Sequence, residues 1–321
     1  MKRIQHPVPV ISVGNVTVGG TGKTPMVEYL VRLLRETCRV AVVSRGYKRR
    51  SRGFRLVEVS DTALLAGDEP LQIKRKFPDV TVAVDKKRNR AISRLLQMPE
   101  EMRPEVVLLD DGFQYRRLQP SCNLVLCAFD RPPFRDTLLP LGRLRESASH
   151  VCRADAVVVT KCPYDPDPEE RAFWREKLRL DDNTPLFFTT LRYDDPLAVF
   201  PEEADRHYIW SPEALLLTGV ANPTPLLLHL TDRYEFFTHR RFCDHHRYGK
   251  ADARALARRI RIHPRTLLLT TEKDAVRLRD LAHLNPEVRK RLFYVPVSHA
   301  FFSGEEAESF ANFICRREKN A

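Results

Sequence analysis

A glycine-rich hexamer, Gly19-Gly20-Thr21-Gly22-Lys23-Thr24, lies between an apolar run and a segment of helical spacing. Residues this small let backbone N–H groups close around phosphate oxygens, and a helix N-terminus adds partial positive charge. In such a loop Lys23 reaches the β- and γ-phosphates and Thr24 holds Mg²⁺. The pattern G-x-x-x-x-G-K-[ST] asks for glycine at position 17, where this chain has Thr17. The strand–loop–helix context and the G-K-T core are kept, and the phosphate-loop reading stands on them. Pro25 sits just inside the helix start, where its missing N–H costs little. A second acidic element, Asp110-Asp111-Gly112-Phe113-Gln114, follows the apolar residues 106–109. A carboxylate at the C-terminal end of a buried strand beside a phosphate loop orients Mg²⁺ or its waters. Two adjacent carboxylates repel unless a cation lies between them. Guanine readers carry N/T-K-x-D at a strand end. Thr160-Lys161-Cys162-Pro163 has proline where the aspartate belongs, and Thr271-Glu272-Lys273-Asp274 has the wrong order. ATP is therefore the expected nucleotide.

Parallel strands between helices are needed to hold these groups. Apolar runs at 8–13, 39–44, 80–84, 106–109, 124–129 and 156–159 read as strands, and 54–59 alternates like a half-exposed one. Helical spacing covers 24–36, where Met26, Val27, Leu30, Val31, Leu33 and Leu34 form one stripe, and recurs at 69–77 and 88–96. Strands apolar on both faces, alternating with helices, argue a parallel sheet covered on both sides. The expected fold is α/β, a P-loop NTPase-like parallel sheet sandwiched by helices. Further strands at 187–190, 215–220, 267–271 and 293–297 continue the rhythm. The loose stretch 192–203 is taken as a boundary. It divides a core domain, 1–195, from a smaller α/β domain, 196–321, that closes over the active site, with the last helix free to pack back on the core.

Composition narrows the partners. Of 321 residues, 54 are Lys or Arg and 42 are Asp or Glu, a net +12, which favours anionic partners. Seven cysteines in no C-x-x-C pair argue against a disulfide framework or zinc ribbon and fit a reducing cytosol. The longest apolar run, 124–129, is far short of the roughly 20 residues of a membrane-spanning helix, and the first residues lack the apolar core of a signal peptide.

The segment Val8 to Pro25, read with Ser44-Arg45-Gly46-Tyr47, Gly67-Asp68-Glu69-Pro70, the Asp110–Gln114 motif, Leu139-Pro140-Leu141-Gly142-Arg143-Leu144-Arg145-Glu146, Asp244-His245-His246 and Thr271-Glu272-Lys273-Asp274, resembles the tetraacyldisaccharide 4'-kinases of lipid A biosynthesis. The motifs appear in the family's order from about residue 7 to 300. Each is weak, and the set is specific. The resemblance implies transfer of the ATP γ-phosphate, with Mg²⁺, to the 4'-hydroxyl of an acylated glucosamine disaccharide 1-phosphate, giving lipid IV-A. It also implies work at the cytoplasmic face of the inner membrane, in peripheral contact with its anionic surface, with no nucleic acid bound. Two departures stand out: the family's usual apolar helix before the first strand is not in this sequence, and Tyr115 stands where members often have histidine.

Residue by residue, the resemblance makes Asp68 the base that takes the hydroxyl proton, with His245 as its partner and His246 as the competing choice. Arg145 grips phosphate oxygens as charge develops, together with Lys23. Glu146 adds a Mg²⁺ contact beside Thr24 and Asp110. Asp111 serves Mg²⁺ or the reacting hydroxyl. Arg88 binds a phosphate, although Lys86, Lys87 and Arg90 offer equal charge nearby. Lys273 and Asp274 are expected near the nucleotide or the domain seam. Two rival readings are a P-loop ATPase switch that binds nucleic acid or anionic membrane and a kinase of a soluble sugar. No helix-turn-helix, zinc-finger or RNA-binding motif supports the first.

Overall fold

The computed structural model describes residues 3–319. The chain opens with β1 (Val10–Gly14), α1 (Lys23–Leu34), β2 (Val40–Ser44), β3 (Arg55–Leu56), α2 (Ala63–Ala66), α3 (Asp68–Lys76), β4 (Thr81–Val84), α4 (Arg88–Leu95), β5 (Val106–Asp110), β6 (Cys122–Ala128), β7 (Ala156–Thr160), α5 (Pro168–Leu178) and β8 (Leu186–Tyr193). A second unit, Tyr193–Val297, contains β9 (Leu197–Ala198), β10 (Glu213–Thr218), α6 (Thr224–Thr231), β11 (Phe236–Arg241), α7 (Lys250–Ile262), β12 (Leu267–Thr271), α8 (Glu272–Arg279), α9 (Pro286–Lys290) and β13 (Leu292–Val295). β14 (Val297–Phe301) and α10 (Gly304–Lys319) then rejoin the first unit from Ser298 onward.

The first unit is built on a nine-stranded sheet in the order β14-β8-β7-β6-β1-β5-β2-β4-β3. The pairs from β8 through β4 are parallel, and β3 closes the edge antiparallel. β1 lies inside, with Val13 opposite Asp110 of β5 and Leu124 of β6. That register brings the end of β1 beside the acidic end of β5. Ligands of open parallel sheets bind outside these carboxyl ends.

Burial explains the layers. The buried stripe of α1 is Met26, Val27, Leu30, Val31 and Leu34. α4 buries Ala91, Ile92 and Leu95 among Val10, Ala41, Val43 and Val107. Trp174 and Leu178 of α5 pack with Val125, Val157 and Phe188. Glu28, fully buried on α1, is held by Lys76 at 2.6 Å and Gln72 at 2.7 Å, which ties α1 to α3.

The second unit has a five-stranded sheet, β11-β10-β12-β13-β9, parallel except for β9. It has apolar cores of its own around Leu217, Leu256 and Leu268, and around Leu216, Leu230 and Phe293.

Two expected strands are corrected. Residues 54–59 form only the two-residue β3. Asp61 pairs with Arg55 and accepts the Glu58 N–H at 3.1 Å, turning the chain away. Residues 293–297 are not one strand, because Pro296 has no N–H to continue the ladder; β13 ends at Val295 and β14 begins at Val297 in the other sheet. Among the described residues, 298–319 group with the first unit, as the expectation allowed for the last helix, and β14 goes with it. β14 pairs in the first sheet, and Phe301 and Phe310 pack on Tyr29 and Phe187. The first stretch of the first unit ends at Arg192, within β8. No helix of the described residues is long and apolar enough to cross a membrane.

Candidate active site

Between β1 and α1 the loop is fixed by its carbonyls. Thr160 Oγ1 donates to the Thr21 carbonyl at 2.9 Å, and Asn15 Nδ2 donates to Thr21 Oγ1 at 2.8 Å. The Gly22 carbonyl accepts from Met26 N at 3.0 Å and from His299 Nε2 at 2.9 Å. A carbonyl can only accept, so Nε2 carries the proton, and Nδ1 accepts from Thr189 Oγ1 at 3.0 Å. Burial pushes the His299 pKa down to about 4, and Lys161 adds to the effect. The ring is therefore neutral at physiological pH. With the Gly22 carbonyl held toward the helix, the planar peptide turns the Lys23 N–H the opposite way. Gly22 itself has φ +84, and a Cβ there would stand 2.8 Å from His299 Nε2, so only glycine fits. The first turn of α1 has no acidic residue to cancel its positive end.

Thr17 is accommodated because this position is extended rather than turned. It bridges Leu144 antiparallel, flanked by Val18 N to Arg143 O at 2.8 Å and Arg145 N to Val16 O at 2.8 Å. The same pairing brings Arg145 alongside the loop. Its Nη1 donates to both oxygens of Asp111, at 3.1 and 2.9 Å, and to Gln114 Oε1 at 3.3 Å. Lys23 Nζ is 3.4 Å from Asp111 Oδ1. Gln114 Nε2 donates to the Asn15 carbonyl at 2.6 Å, completing a chain of contacts from Arg145 to the loop.

The two carboxylates are unlike. Asp110 is buried and accepts from Ser44 Oγ at 3.1 Å. Burial raises its pKa to about 6, helped by the charges of Asp111 and Glu69 and only partly offset by Lys23. Asp111 is also pushed up by burial, but Lys23 and Arg145 outweigh that and hold it below the usual carboxylate range. Its backbone has φ 52, a left-handed conformation that ends the strand.

Asp68 and Glu69 open α3, and the Glu69 charge is felt at Asp110. Gly67, at φ +96, precedes them; a Cβ on it would lie 3.1 Å from the Gly46 Cα. The Ser44–Tyr47 and Gly67–Pro70 motifs are thus packed backbone to backbone.

Among its basic neighbours, Arg88 is the buried one, 8% exposed, while Arg90 is taken by Asp85 at 2.7 and 2.9 Å and Lys86 and Lys87 are exposed. Its guanidinium lies 5.0 Å over the Tyr115 ring and donates to the carbonyls of Lys86 at 3.2 Å and Asp111 at 3.5 Å. Burial lowers its pKa, and Arg45 lowers it further. Arg88 Nε has no partner among the described residues. A buried cation short of acceptors, beside a second cation, is suited to an anion.

Glu146 keeps a buried Oε1 with no hydrogen-bond partner among the described residues. Its Oε2 is taken by Arg153 at 2.6 Å and His150 at 2.9 Å, and the Arg153 guanidinium lies 4.3 Å over the Phe113 ring. Among the described residues no three His, Cys, Asp or Glu side chains converge as a metal cluster.

In the second unit the two adjacent histidines separate. His246 is held by Asp252 at 3.1 Å and stacks on Phe242 at 4.4 Å. His245 sits at φ 59, its N–H bonded to the Gly219 carbonyl at 3.1 Å, with Lys273 Nζ at 3.2 Å from Nε2 and Arg277 Nη2 at 3.4 Å from Nδ1. A neutral imidazole has one acceptor nitrogen, so these two contacts compete. Asp274 is fully buried and occupied within its own unit, by Gly219 N at 2.8 Å, Thr271 Oγ1 at 2.7 Å and Arg277 Nη1 at 2.9 Å. Asp68 belongs to the first unit and His245 to the second.

Sequence reasoning missed Asn15, Thr160, Lys161 and His299. Lys161 follows β7 at φ 62, and its Nζ lies 3.8 Å from where a Gly20 Cβ would be; burial lowers its pKa. A lysine directly after a buried strand was the available signal. His299 offered none, because 277 residues separate it from Gly22.

The family model described as tetraacyldisaccharide-1-P 4'-kinase matches residues 1–317. A tetraacyldisaccharide 4'-kinase of Parabacteroides distasonis is 41% identical over 310 residues, 95% of this chain and 84% of the relative. One of Phocaeicola vulgatus is 38% identical over 331 aligned positions, covering 100% of this chain and 89% of the relative. The crystal structure of LpxK from Aquifex aeolicus in complex with ATP is similar over 99% of this chain and 90% of that one, with a TM-score of 0.73 and 29% identity.

Proposed function

The chain belongs to the tetraacyldisaccharide 4'-kinase family, and we propose that it performs the family's reaction with the residues gathered around the loop at 19–24. It is an ATP-dependent kinase of lipid A biosynthesis. The observation that carries the assignment of its site is the meeting of Lys23 and Arg145 on Asp111 at the mouth of β5. Two cations held beside a glycine-rich loop match the negative charge that spreads over a phosphoryl group in flight.

In this reading the oxygen of the sugar 4'-hydroxyl bonds to the γ-phosphorus as the bond from that phosphorus to the β–γ bridging oxygen breaks, and ADP leaves. The hydroxyl proton passes to Asp68, with His245 proposed as its partner. His246 is the weaker candidate for that partner, since Asp252 and Phe242 already hold it. The loop N–H groups and Lys23 bind the β- and γ-phosphates. Arg145 follows the γ-phosphoryl group, and Asp111 keeps both cations in place before the substrate arrives. Arg88, with Tyr115 beneath it, binds a phosphate of ATP or of the acceptor.

A magnesium ion fits the residues present. Asp110 is a buried carboxylate with Ser44 as its one hydrogen-bonded side chain among those described, pressed by two further acids, and a dication would relieve that repulsion. Thr24 and Asp110 would hold it. Mg²⁺ takes few protein ligands when phosphates supply the rest, so it needs no three-ligand cluster among the described residues. When bound, it would neutralise phosphate charge. Glu146 braces Arg153 against Phe113 through Oε2, which leaves Oε1 for the expected Mg²⁺ contact.

The net charge of +12 and the lipid acceptor support peripheral contact with the anionic inner-membrane surface, on the cytoplasmic side where ATP is available. The test is an assay of the purified protein with labelled ATP and the acylated disaccharide 1-phosphate, read by the mass of the lipid product. Transfer to a soluble sugar alone, or ATP hydrolysis with no lipid product, would overturn the reading.

A further inference from the structure

The turn between Asp136 and Arg145 carries Leu138, Leu139 and Leu141 outward and buries Leu144. Leu138 is 51% exposed, Leu139 52% and Leu141 92%, the densest run of exposed large apolar side chains among the described residues. Single exposed leucines need no explanation, whereas three within four residues do.

The turn is braced rather than loose. Leu139 N donates to Leu144 O at 3.0 Å, Gly142 N to Leu138 O at 3.0 Å and Leu144 N to Thr137 O at 2.9 Å. The Asp136 carboxylate accepts from the Thr137 and Arg143 amides at 2.8 and 3.1 Å. Pro140 has no N–H to satisfy. These backbone donors are met inside the turn, which lowers the cost of taking it out of water. The base of the turn is the strand that pairs with the phosphate loop and ends at Arg145. Exposed cations flank the tip at Arg135 and Arg143, while Asp136 is engaged by its own backbone and Arg131, further back, pairs with Asp130 at 4.0 Å.

We infer that the turn at 138–141 is an interfacial element that enters an anionic bilayer, its leucines below the headgroups and its arginines among the lipid phosphates. An apolar tip over a basic collar is the chemistry of such contacts. The choice of a bilayer over a second copy of the chain rests on the lipid-kinase reading. An enzyme whose acceptor carries acyl chains must bring its phosphate loop to the surface that holds them, and this turn projects from the segment stapled to that loop.

The test is co-sedimentation of the full chain with vesicles of phosphatidylethanolamine and phosphatidylglycerol. The combined variant Leu138→Ser, Leu139→Ser, Leu141→Ser should lose roughly tenfold or more in vesicle affinity while keeping its ATP affinity and melting temperature. Leu141→Ser alone, at a side chain almost wholly in water, cannot disturb the core and should lose part of the affinity; Leu141→Trp should keep or raise it. Equal binding by the triple variant, or no binding by the parent chain, overturns the inference. So does a dimer in ultracentrifugation that the triple variant dissolves, since the face would then be a contact between copies. Phosphate transfer to detergent-dispersed acceptor separates the two readings. If transfer persists without vesicle binding, the kinase stands and the membrane element falls. If leucine-dependent vesicle binding persists without transfer, the reverse holds.

Discussion

Lys23, Asp110 and Asp111 set the chemistry at the scale of single side chains. Asp111 is held ionised by Lys23 and Arg145, so removing Lys23 leaves both the carboxylate and the incoming phosphates under-compensated. Lys23→Ala is expected to lower turnover by about 100-fold or more with the melting temperature near that of the parent, measured by labelled phosphate transfer and thermal unfolding. Asp110 predicts a conflict between stability and function. Its pKa rises from 3.8 to about 6 on folding, so the folded chain binds the proton more tightly than the unfolded one. Its contribution is most favourable below about pH 4 and declines as pH climbs toward 6. Above that it is an unfavourable term on the order of 3 kcal/mol at most. Asp110→Asn should therefore melt higher than the parent at pH 7.5 without nucleotide, gain nothing at pH 4, and transfer little phosphate. Melting curves at the two pH values check it; an equal effect at both would mean that ionisation is not the cause. Arg88 shows what one sequence withholds at this scale. Four cations stand within five residues, and only the fold buries one of them over Tyr115.

Between elements, side chains far apart in sequence hold the loop. β14 presents His299 to the Gly22 carbonyl, and β8 presents Thr189 to fix the ring's tautomer. The glutamine amide nitrogen stands about where Nε2 does, so His299→Gln keeps a donor for Gly22 and His299→Leu does not. We expect His299→Leu to raise the KM for ATP about tenfold, with kcat for lipid falling less, and His299→Gln to stay within about threefold of the parent. Steady-state kinetics with ATP varied would decide; equal KM values for the two variants would assign the histidine to packing alone. In the second unit, Asp274 joins β10, β12 and α8 through Gly219, Thr271 and Arg277. Asp274→Ala strands the Arg277 charge in a buried setting and should cost about 3 kcal/mol or more, seen as a lower denaturation midpoint. This expected site residue is occupied in securing its own sheet. The segment containing β11, by contrast, went unread, because Phe236–Arg241 lies on a sheet edge and keeps mostly exposed side chains.

For the whole molecule, the chain forms two units with separate sheets and separate cores, the first made of two stretches that flank the second. Each buries enough apolar surface to melt on its own account. Calorimetry should resolve two transitions, and ATP should raise the one belonging to the first unit by mass action, about 2.7 kcal/mol at a hundredfold excess over Kd. Lys23→Ala should abolish that shift. A single transition that moves as one with ATP would mean that the units unfold together.

The sequence by itself determined the phosphate loop, the parallel sheet that carries it and the family. Those are local statements: glycines that only a tight turn needs, strands apolar on both faces, a helix stripe, and short motifs in a fixed order. It did not determine which of two adjacent histidines is committed to packing, why Thr17 is tolerated in place of glycine, that Glu146 goes to Arg153, or that the final strand returns to brace Gly22. These depend on which backbones pair and in what register, and on which charge lies nearest through space. Such contacts join residues as many as 277 positions apart, where no local pattern can reach, and only the tertiary structure decides them.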